Sequence, residues 1–317
     1  MSVLDLVSSI NPPDVESHHF ASRTLDVKDV EASKWKMIEM NKKLVLVYLQ
    51  TVATLVLATC GYAQDPEPSP WAGKEKQLGK VEKMFGDPPG STRLDKQSRV
   101  WADRKTGRVI VDGYIALRAG QLEMLACPVG TKEHESVVAV FAKAQVVHAG
   151  LLAIGAKSGT PVSWEPTYKA PTGSEIQVFA LWKDADGKKH FIDTRKWVHE
   201  LGTEKGTLNT NFIFAGSKMW KDPDTGEERY LAESGDLVCV SNFATATLDV
   251  PLNSSQANSG LMFAAMTDAI PPEGTPIRLV LQLVDPKKKP GDTPATCDAE
   301  KSLLDVASEP KVAEPAK

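Results

Sequence analysis

The feature that most constrains the fold is a series of short strand-like runs between residues 107 and 284. Each run is rich in β-branched or aromatic residues and is bounded by turn residues, a pattern typical of β-strands. Asp186-Gly187 predicts a tight hairpin turn, and residues 222–226 predict a longer hairpin loop. The predicted strands span residues 108–117, 122–126, 136–141, 175–182, 190–193, 211–215, 228–232, 236–241 and 277–284.

One helix interrupts this series. Within residues 143–155 an apolar face recurs at helical spacing, and Gly155 is placed as the C-terminal cap. The face comprises Ala144, Val147, His148, Leu151 and Ile154. Strands and helices do not alternate as they do in βαβ units, which argues against a doubly wound sheet. We therefore expect an α+β fold: a β-rich, mostly antiparallel single domain with one main helix at about residues 143–155.

The segments on either side of this domain have a different composition. Residues 64–106 are polar and rich in proline, and we interpret them as a linker or surface arm with at most a short helix near residues 74–85. Residues 285–317 hold too few apolar side chains to offset the entropy cost of folding, so we expect a disordered tail. The predicted domain therefore spans residues 107–284.

Residues 40–63 have the three-part pattern of a secretory signal peptide. Lys42-Lys43 is the basic start, an apolar run follows, and Gly61-Tyr62-Ala63 places small residues where a signal peptidase reads. The apolar run is too short and too interrupted for a membrane span, which needs about 20 mostly apolar residues. We expect cleavage after Ala63 and a secreted or periplasmic protein.

Two alternatives stay open for this N-terminal part. Residues 1–39 are either a mis-assigned start or disordered extension, or a cytoplasmic segment ahead of an uncleaved anchor. Leu57-Ala58-Thr59-Cys60 resembles a lipobox, which would attach lipid to Cys60. We expect contact with a membrane only through such an uncleaved signal or a lipidated Cys60.

The charge balance and the cysteines limit the classes of partner and of chemistry. Lys+Arg 37 against Asp+Glu 41 gives a net charge of -4, which offers no electrostatic argument for nucleic-acid binding. Disulfides persist outside the cytosol, so Cys127 and Cys239 are a candidate pair, although sequence does not show that their Cβ atoms are within reach. Cys297 falls in the predicted tail and is left over.

Several motifs of catalysis or ligand binding fail on spacing. The phosphate-loop-like run 150–158 has an extra residue and ends a helix instead of beginning one. The calcium-loop-like run 222–233 has its glycine at the wrong position. His134-Glu135 lacks the second histidine of a zincin, and no Gly-x-Ser-x-Gly elbow is present.

One set of candidate site residues remains after these motifs are excluded: Cys127, His134, Glu135 and His148. A thiol, two imidazoles and a carboxylate are ligands for a transition metal such as zinc, copper or iron, and they include a nucleophile with a base. The structural alternative is equally concrete, because a buried thiol and hydrogen-bonded histidines are common in protein cores. The Trp residues at 164, 182, 197 and 220 are likewise either core anchors or lining of a binding surface.

The same residues carry a family resemblance. Residues 122–127 running into 130–136, the stretch 147–152 followed by Gly155, and the runs 171–174 and 214–217 resemble the YdjY domain family of exported bacterial proteins. Its more specific signatures are His134-Glu135-Ser136 and His148. The resemblance covers about residues 100–284. It implies export and a domain boundary, and it assigns no activity, substrate or catalytic residue.

Two functions from different classes follow. The leading hypothesis is a secreted or periplasmic module that acts by binding and not by turnover, since no catalytic signature is recognised. Its partner would be another exported protein, a cell-envelope component or a small ligand. The alternative is a metal-binding or redox-active domain that uses Cys127, His134, Glu135 and His148.

Overall fold

The computed structural model describes residues 31, 34, 36–42, 69–204, 206–254 and 260–285. The chain divides into two units, Met1–Glu67 and Pro68–Lys317. In the first unit the described residues are helical and exposed. Most of the predicted signal, including Cys60, and the predicted tail with Cys297 lie outside the described residues. None of the described helices combines the length and the hydrophobicity that crossing a bilayer requires.

The second unit consists mainly of β-strands. Its described residues form two α-helices, α1 (Glu75–Met84) and α2 (Ala144–Ala153), and three 3-10 helices, Glu133–Glu135, Thr194–Trp197 and Leu231–Ser234. The strands are β1 (Thr92–Arg93), β2 (Val100–Asp103), β3 (Arg108–Ile115), β4 (Met124–Pro128), β5 (Ser136–Val140), β6 (Glu175–Lys183), β7 (Lys189–Asp193), β8 (Val198–Glu200), β9 (Phe212–Phe214), β10 (Met219–Lys221), β11 (Glu228–Tyr230), β12 (Val238–Cys239), β13 (Leu248–Asp249), β14 (Phe263–Ala265) and β15 (Pro276–Leu283).

Eight of these strands form a closed barrel. Their order is β3-β15-β6-β9-β13-β12-β4-β5, and β5 pairs with β3 to complete the ring. Two neighbouring pairs, β12–β13 and β4–β5, are parallel, and the other pairs around the ring are antiparallel. Strands β1 and β2 extend the sheet from β3, and β7 pairs with β6.

The expected α+β class, with one main helix at about residues 143–155, is therefore wrong. The predicted helix exists as α2, but it does not form a layer over an open sheet. Strand β3 causes the difference, because its first half pairs with β2 and its second half pairs with β5 along the same edge. This double pairing closes the sheet into a barrel. No local pattern in the sequence predicts this double pairing.

The alternating side chains of β3 build two hydrophobic clusters. Val109, Val111 and Ile115 belong to the main cluster, which α2 joins through Val147 and Leu151. The opposite face of β3 packs on a second cluster that lies against α1. That second cluster includes Trp71, Val81, Phe85, Ile110 and Tyr114. Residues 71–103, which the sequence analysis places outside the domain, thus supply α1, β1 and β2 to the packed unit.

A buried ion group fixes the end of α1 to the barrel. Asp112 on β3 and Arg278 on β15 are register partners, and Arg278 Nε donates to Asp112 Oδ1 at 2.6 Å. Arg99 Nη2 donates to Asp112 Oδ2 at 2.6 Å. The two guanidiniums also donate to the carbonyls of Phe85 and Gly86, which directly follow α1. The ion group and its carbonyl contacts therefore join four segments of the chain.

Candidate functional site

The structure places the four predicted site residues in different environments. Cys127 is buried on β4, and burial raises the pKa of its thiol to about 11. His134 lies on the 3-10 helix Glu133–Glu135 with 77% of its side chain exposed. Its Nε2 is 3.8 Å from Glu135 Oε2. His148 is half-buried on α2, and burial lowers the pKa of its imidazole.

The described residues hold no group of three or more His, Cys, Asp or Glu side chains placed to bind a metal ion. Each of the four residues has a local contact instead, and the transition-metal hypothesis stays a prediction.

The candidate disulfide is not formed, because Cys127 and Cys239 are both free and buried. Burial also raises the pKa of the Cys239 thiol well above its ordinary value. Since the thiolate is the reactive form of cysteine, both thiols are held in their unreactive form near neutral pH. Their packing on β4 and β12 explains why sequence-based reasoning could treat them as strand residues without knowing their partners.

Glu135 belongs to a charged cluster that is centred on Lys132. The Lys132 ammonium lies 3.1 Å from Asp236 Oδ1, 3.6 Å from Glu123 Oε2 and 3.7 Å from Glu135 Oε1. It also lies over the Phe243 ring, 4.1 Å from the centroid. Burial and the neighbouring Glu135 carboxylate raise the pKa of Glu123. One cation thus serves three carboxylates, which draws together the segments that precede β4, β5 and β12.

His148 belongs to a second polar group, which is centred on the Tyr230 hydroxyl. This hydroxyl donates to the Gly216 carbonyl at 3.2 Å and lies 2.9 Å from both His148 Nδ1 and Thr247 Oγ1. With its proton directed at Gly216, the hydroxyl accepts from Thr247 and from an N–H at His148 Nδ1. The imidazole also makes edge contacts with the rings of Phe214 and Tyr230. The group is therefore fully engaged within the protein.

A short chain of contacts connects the two polar groups. Thr245 donates its hydroxyl to Asp236, and Ser217 donates its hydroxyl to the Thr245 carbonyl at 2.5 Å. Ser217 has a positive φ of 55°, which is uncommon for a residue with a side chain. The next segment is tied as well, since Glu233 accepts from the first backbone N–H groups of α2, those of Ala144 and Gln145. We call the whole set the polar network.

The polar network brings together segments that are far apart in sequence. Gly216 would place a Cβ 2.7 Å from Ser158 Cβ and 3.5 Å from His148 Cε1, so three segments meet closely at this point. Sequence reasoning identified Glu135 and His148 but missed Lys132 and Tyr230. The signal that could have found them is weak, because a lysine and a tyrosine in polar loops are ordinary surface residues.

The geometry of the polar network favours a role in holding loops in place over a role in catalysis. The charged and hydroxyl groups of the polar network already have partners within the chain, and these partners hold the loops after β4, β9, β11 and β12 in fixed relative positions. A group that is held in this way fixes the shape of the surface above it.

The comparisons with known proteins agree with the resemblance. The model of the YdjY domain matches residues 100–282, which is more than half of the chain. No curated protein and no solved structure matches the chain. The matched region contains the polar network and all eight strands of the barrel. The chain belongs to the YdjY domain family.

Proposed function

We propose that this YdjY-domain protein is an exported, non-catalytic module that binds another exported protein. The observation that carries the proposal is a hairpin, β10–β11, whose first strand exposes two apolar side chains. Met219 is 60% exposed and Trp220 is 41% exposed on the same short strand. Tryptophan is enriched among the residues that contribute most to protein–protein affinity, and methionine adapts to irregular partner surfaces.

The hairpin forms a two-stranded sheet of its own. Met219, Trp220 and Lys221 pair with Tyr230, Arg229 and Glu228 in antiparallel register. Successive side chains of a strand point to opposite faces, so exposure of both Met219 and Trp220 means that both faces of the hairpin meet solvent there. This exposure supports a role as a contact surface.

The polar network anchors the hairpin at its base. Tyr230 is the last residue of β11, and its hydroxyl makes the contacts with His148, Thr247 and Gly216 described above. The Leu231 N–H donates to the Lys218 carbonyl and closes the hairpin from the other strand. A pre-positioned surface loses less conformational entropy on binding than a mobile one. The network thus supports the proposed binding role without supplying a reaction.

Export is supported by the pattern of residues 40–63. Amino-terminal sequencing of the protein recovered from the extracytoplasmic fraction is expected to begin at Gln64. Retention of the whole chain in the cytoplasm would contradict this part of the proposal.

A photo-activated cross-linker tests the binding surface directly. The full chain is expressed in an exporting bacterium with an aromatic cross-linking residue at position 220, which keeps a large apolar ring there, or at position 185 as a control. Ala185 is exposed at the turn of another hairpin, β6–β7. We expect one discrete adduct from position 220, lost on Met219→Ser, and none from position 185. Equal adducts from both positions, or none from position 220, would refute the proposed surface. Turnover of a substrate by the purified protein would refute the proposed non-catalytic role.

A further inference from the structure

A buried carboxyl group lies at the end of β13, next to the segment that supplies Thr245 and Thr247 to the polar network. Asp249, the last residue of β13, is fully buried. Its Oδ1 accepts from Asn242 Nδ2 at 3.0 Å and from the Val250 N–H at 2.8 Å. Its Oδ2 has no hydrogen-bond partner in the part of the chain that the structure describes. One oxygen of this carboxyl is therefore satisfied and the other is not.

The largest influences on this carboxyl are burial, neutral hydrogen-bond donors and one acid. Asp236, which precedes β12, acts on Asp249 as a like charge. Burial, and after it the Asp249 charge, raises the pKa of the Cys239 thiol on β12 and of the Tyr168 phenol. The donors that act on the carboxyl, the Asn242 amide and the backbone N–H groups of Val250 and Phe243, are uncharged. Ionised Asp249 would thus be a buried negative charge beside another acid, which is costly.

The surroundings of Asn242 would gain from water. The Ser254 N–H donates to Asn242 Oδ1 at 2.9 Å, and the Asn242 N–H donates to the Ser254 carbonyl. The Ser241 and Ser254 hydroxyls are both buried and have no partner among the described residues. Local opening would hydrate these two hydroxyls together with Asp249 Oδ2. Hydration of these oxygens therefore lowers the free-energy cost of opening this region locally.

We propose that residues 241–250, the Asp249 loop, form a pH-responsive latch that is closed while Asp249 carries a proton and opens locally when that carboxyl ionises.

The direction of the response follows from linkage. Burial raises the pKa of Asp249 from its ordinary 3.8 to about 7 in the closed loop. In the open loop the carboxyl regains its ordinary pKa, so between these two values opening releases a proton. Closure is therefore strongest in acid, weakens as the pH rises from about 4, and reaches a low plateau above pH 7. From pH 5 to pH 7 the opening equilibrium should rise roughly fiftyfold.

Amide hydrogen exchange of the full chain at pH 5 and pH 7, corrected for the intrinsic effect of pH on exchange, tests the latch. Protection of residues 241–250 should fall roughly fiftyfold at pH 7, while α2, the internal reference, changes little. In Asp249→Asn, which mimics the protonated acid, the loop should be equally protected at both pH values. A pH-independent loop in the wild type, or wild-type pH dependence in Asp249→Asn, would overturn the proposal.

A measurement on the wild-type protein tests the latch even if Asp249→Asn does not fold. Carbon-13 NMR of the labelled wild-type chain follows the Asp249 carboxyl as it titrates. A midpoint at least two pH units above the ordinary aspartate value supports the latch. A midpoint at the ordinary value contradicts it.

Discussion

At the scale of single residues, the buried ion group shows how strongly one carboxylate can matter. Asp112 is fully buried and is the shared partner of two guanidiniums, those of Arg99 and Arg278. Both cations also stack near Trp101, within 5.4 Å of its centroid. Removal of the carboxylate would leave two buried positive charges facing each other. Loss of the carboxylate from a buried ion group is strongly destabilising, because the remaining buried charge is less well compensated.

We therefore expect Asp112→Asn to lower the free energy of unfolding by about 3–5 kcal/mol. Urea denaturation followed by tryptophan fluorescence measures the change. Arg229→Gln is the control, because it breaks the exposed pair with Glu227 and should leave the midpoint unchanged. A variant Asp112→Asn as stable as the wild type would show that the ion group does not hold α1.

At the scale of the elements, the strands were largely predictable but their pairing was not. The predicted runs 108–117 and 175–182 correspond to β3 (Arg108–Ile115) and β6 (Glu175–Lys183), because long runs rich in β-branched and aromatic residues carry a clear signal. Strand β13 was missed, since two residues hold no periodicity. Yet β13 links β9 to β12 in the ring. The barrel thus depends on an element that the sequence pattern cannot show.

The candidate site has the same limitation. His148 was identified from its place on the helix, but its partner Tyr230 is 82 residues further along the chain. Lys132 is similar, since Asp236 approaches it only after β12 has joined β4. Spacing rules work for ligands on one helix or loop. They do not reach contacts that the barrel creates.

The hairpin β10–β11 offers a test at this scale. Tyr230→Phe removes a hydroxyl with three contacts and leaves Gly216, His148 and Thr247 without this partner, at a cost of about 1–3 kcal/mol. Hydrogen exchange of residues 219–230 should rise accordingly. Tyr168→Phe is the matched control, since its hydroxyl makes one long contact of 3.5 Å with Asn242. Equal effects of the two variants would show that Tyr230 does not anchor the hairpin.

At the scale of the whole molecule, the barrel closes where β3 and β5 approach each other closely. Gly113 on β3 pairs with Val140, and a Cβ at this position would lie 2.2 Å from the Ala139 carbonyl oxygen. Only glycine fits such an approach of two backbones. This residue therefore permits the closed ring.

Gly113→Ala should consequently destabilise the protein, because the β3–β5 pairing must separate to admit a methyl group. Thermal unfolding measured by circular dichroism should show a midpoint lowered by at least several degrees. Gly79→Ala is the control: Gly79 lies in α1 with open space around its Cβ position, so alanine there should be neutral or stabilising. A normal midpoint for Gly113→Ala would contradict this account of barrel closure.

We propose for the whole molecule that the hairpin β10–β11 contacts a protein partner. The family-signature histidines and carboxylates do not contact that partner. Titration calorimetry with the partner recovered by cross-linking compares Trp220→Ala with His134→Ala, two changes at exposed side chains. We predict a Kd weakened roughly thirtyfold for Trp220→Ala, as for the loss of a contact worth about 2 kcal/mol, and little change for His134→Ala. Binding that survives Trp220→Ala but is lost in His134→Ala would contradict the account.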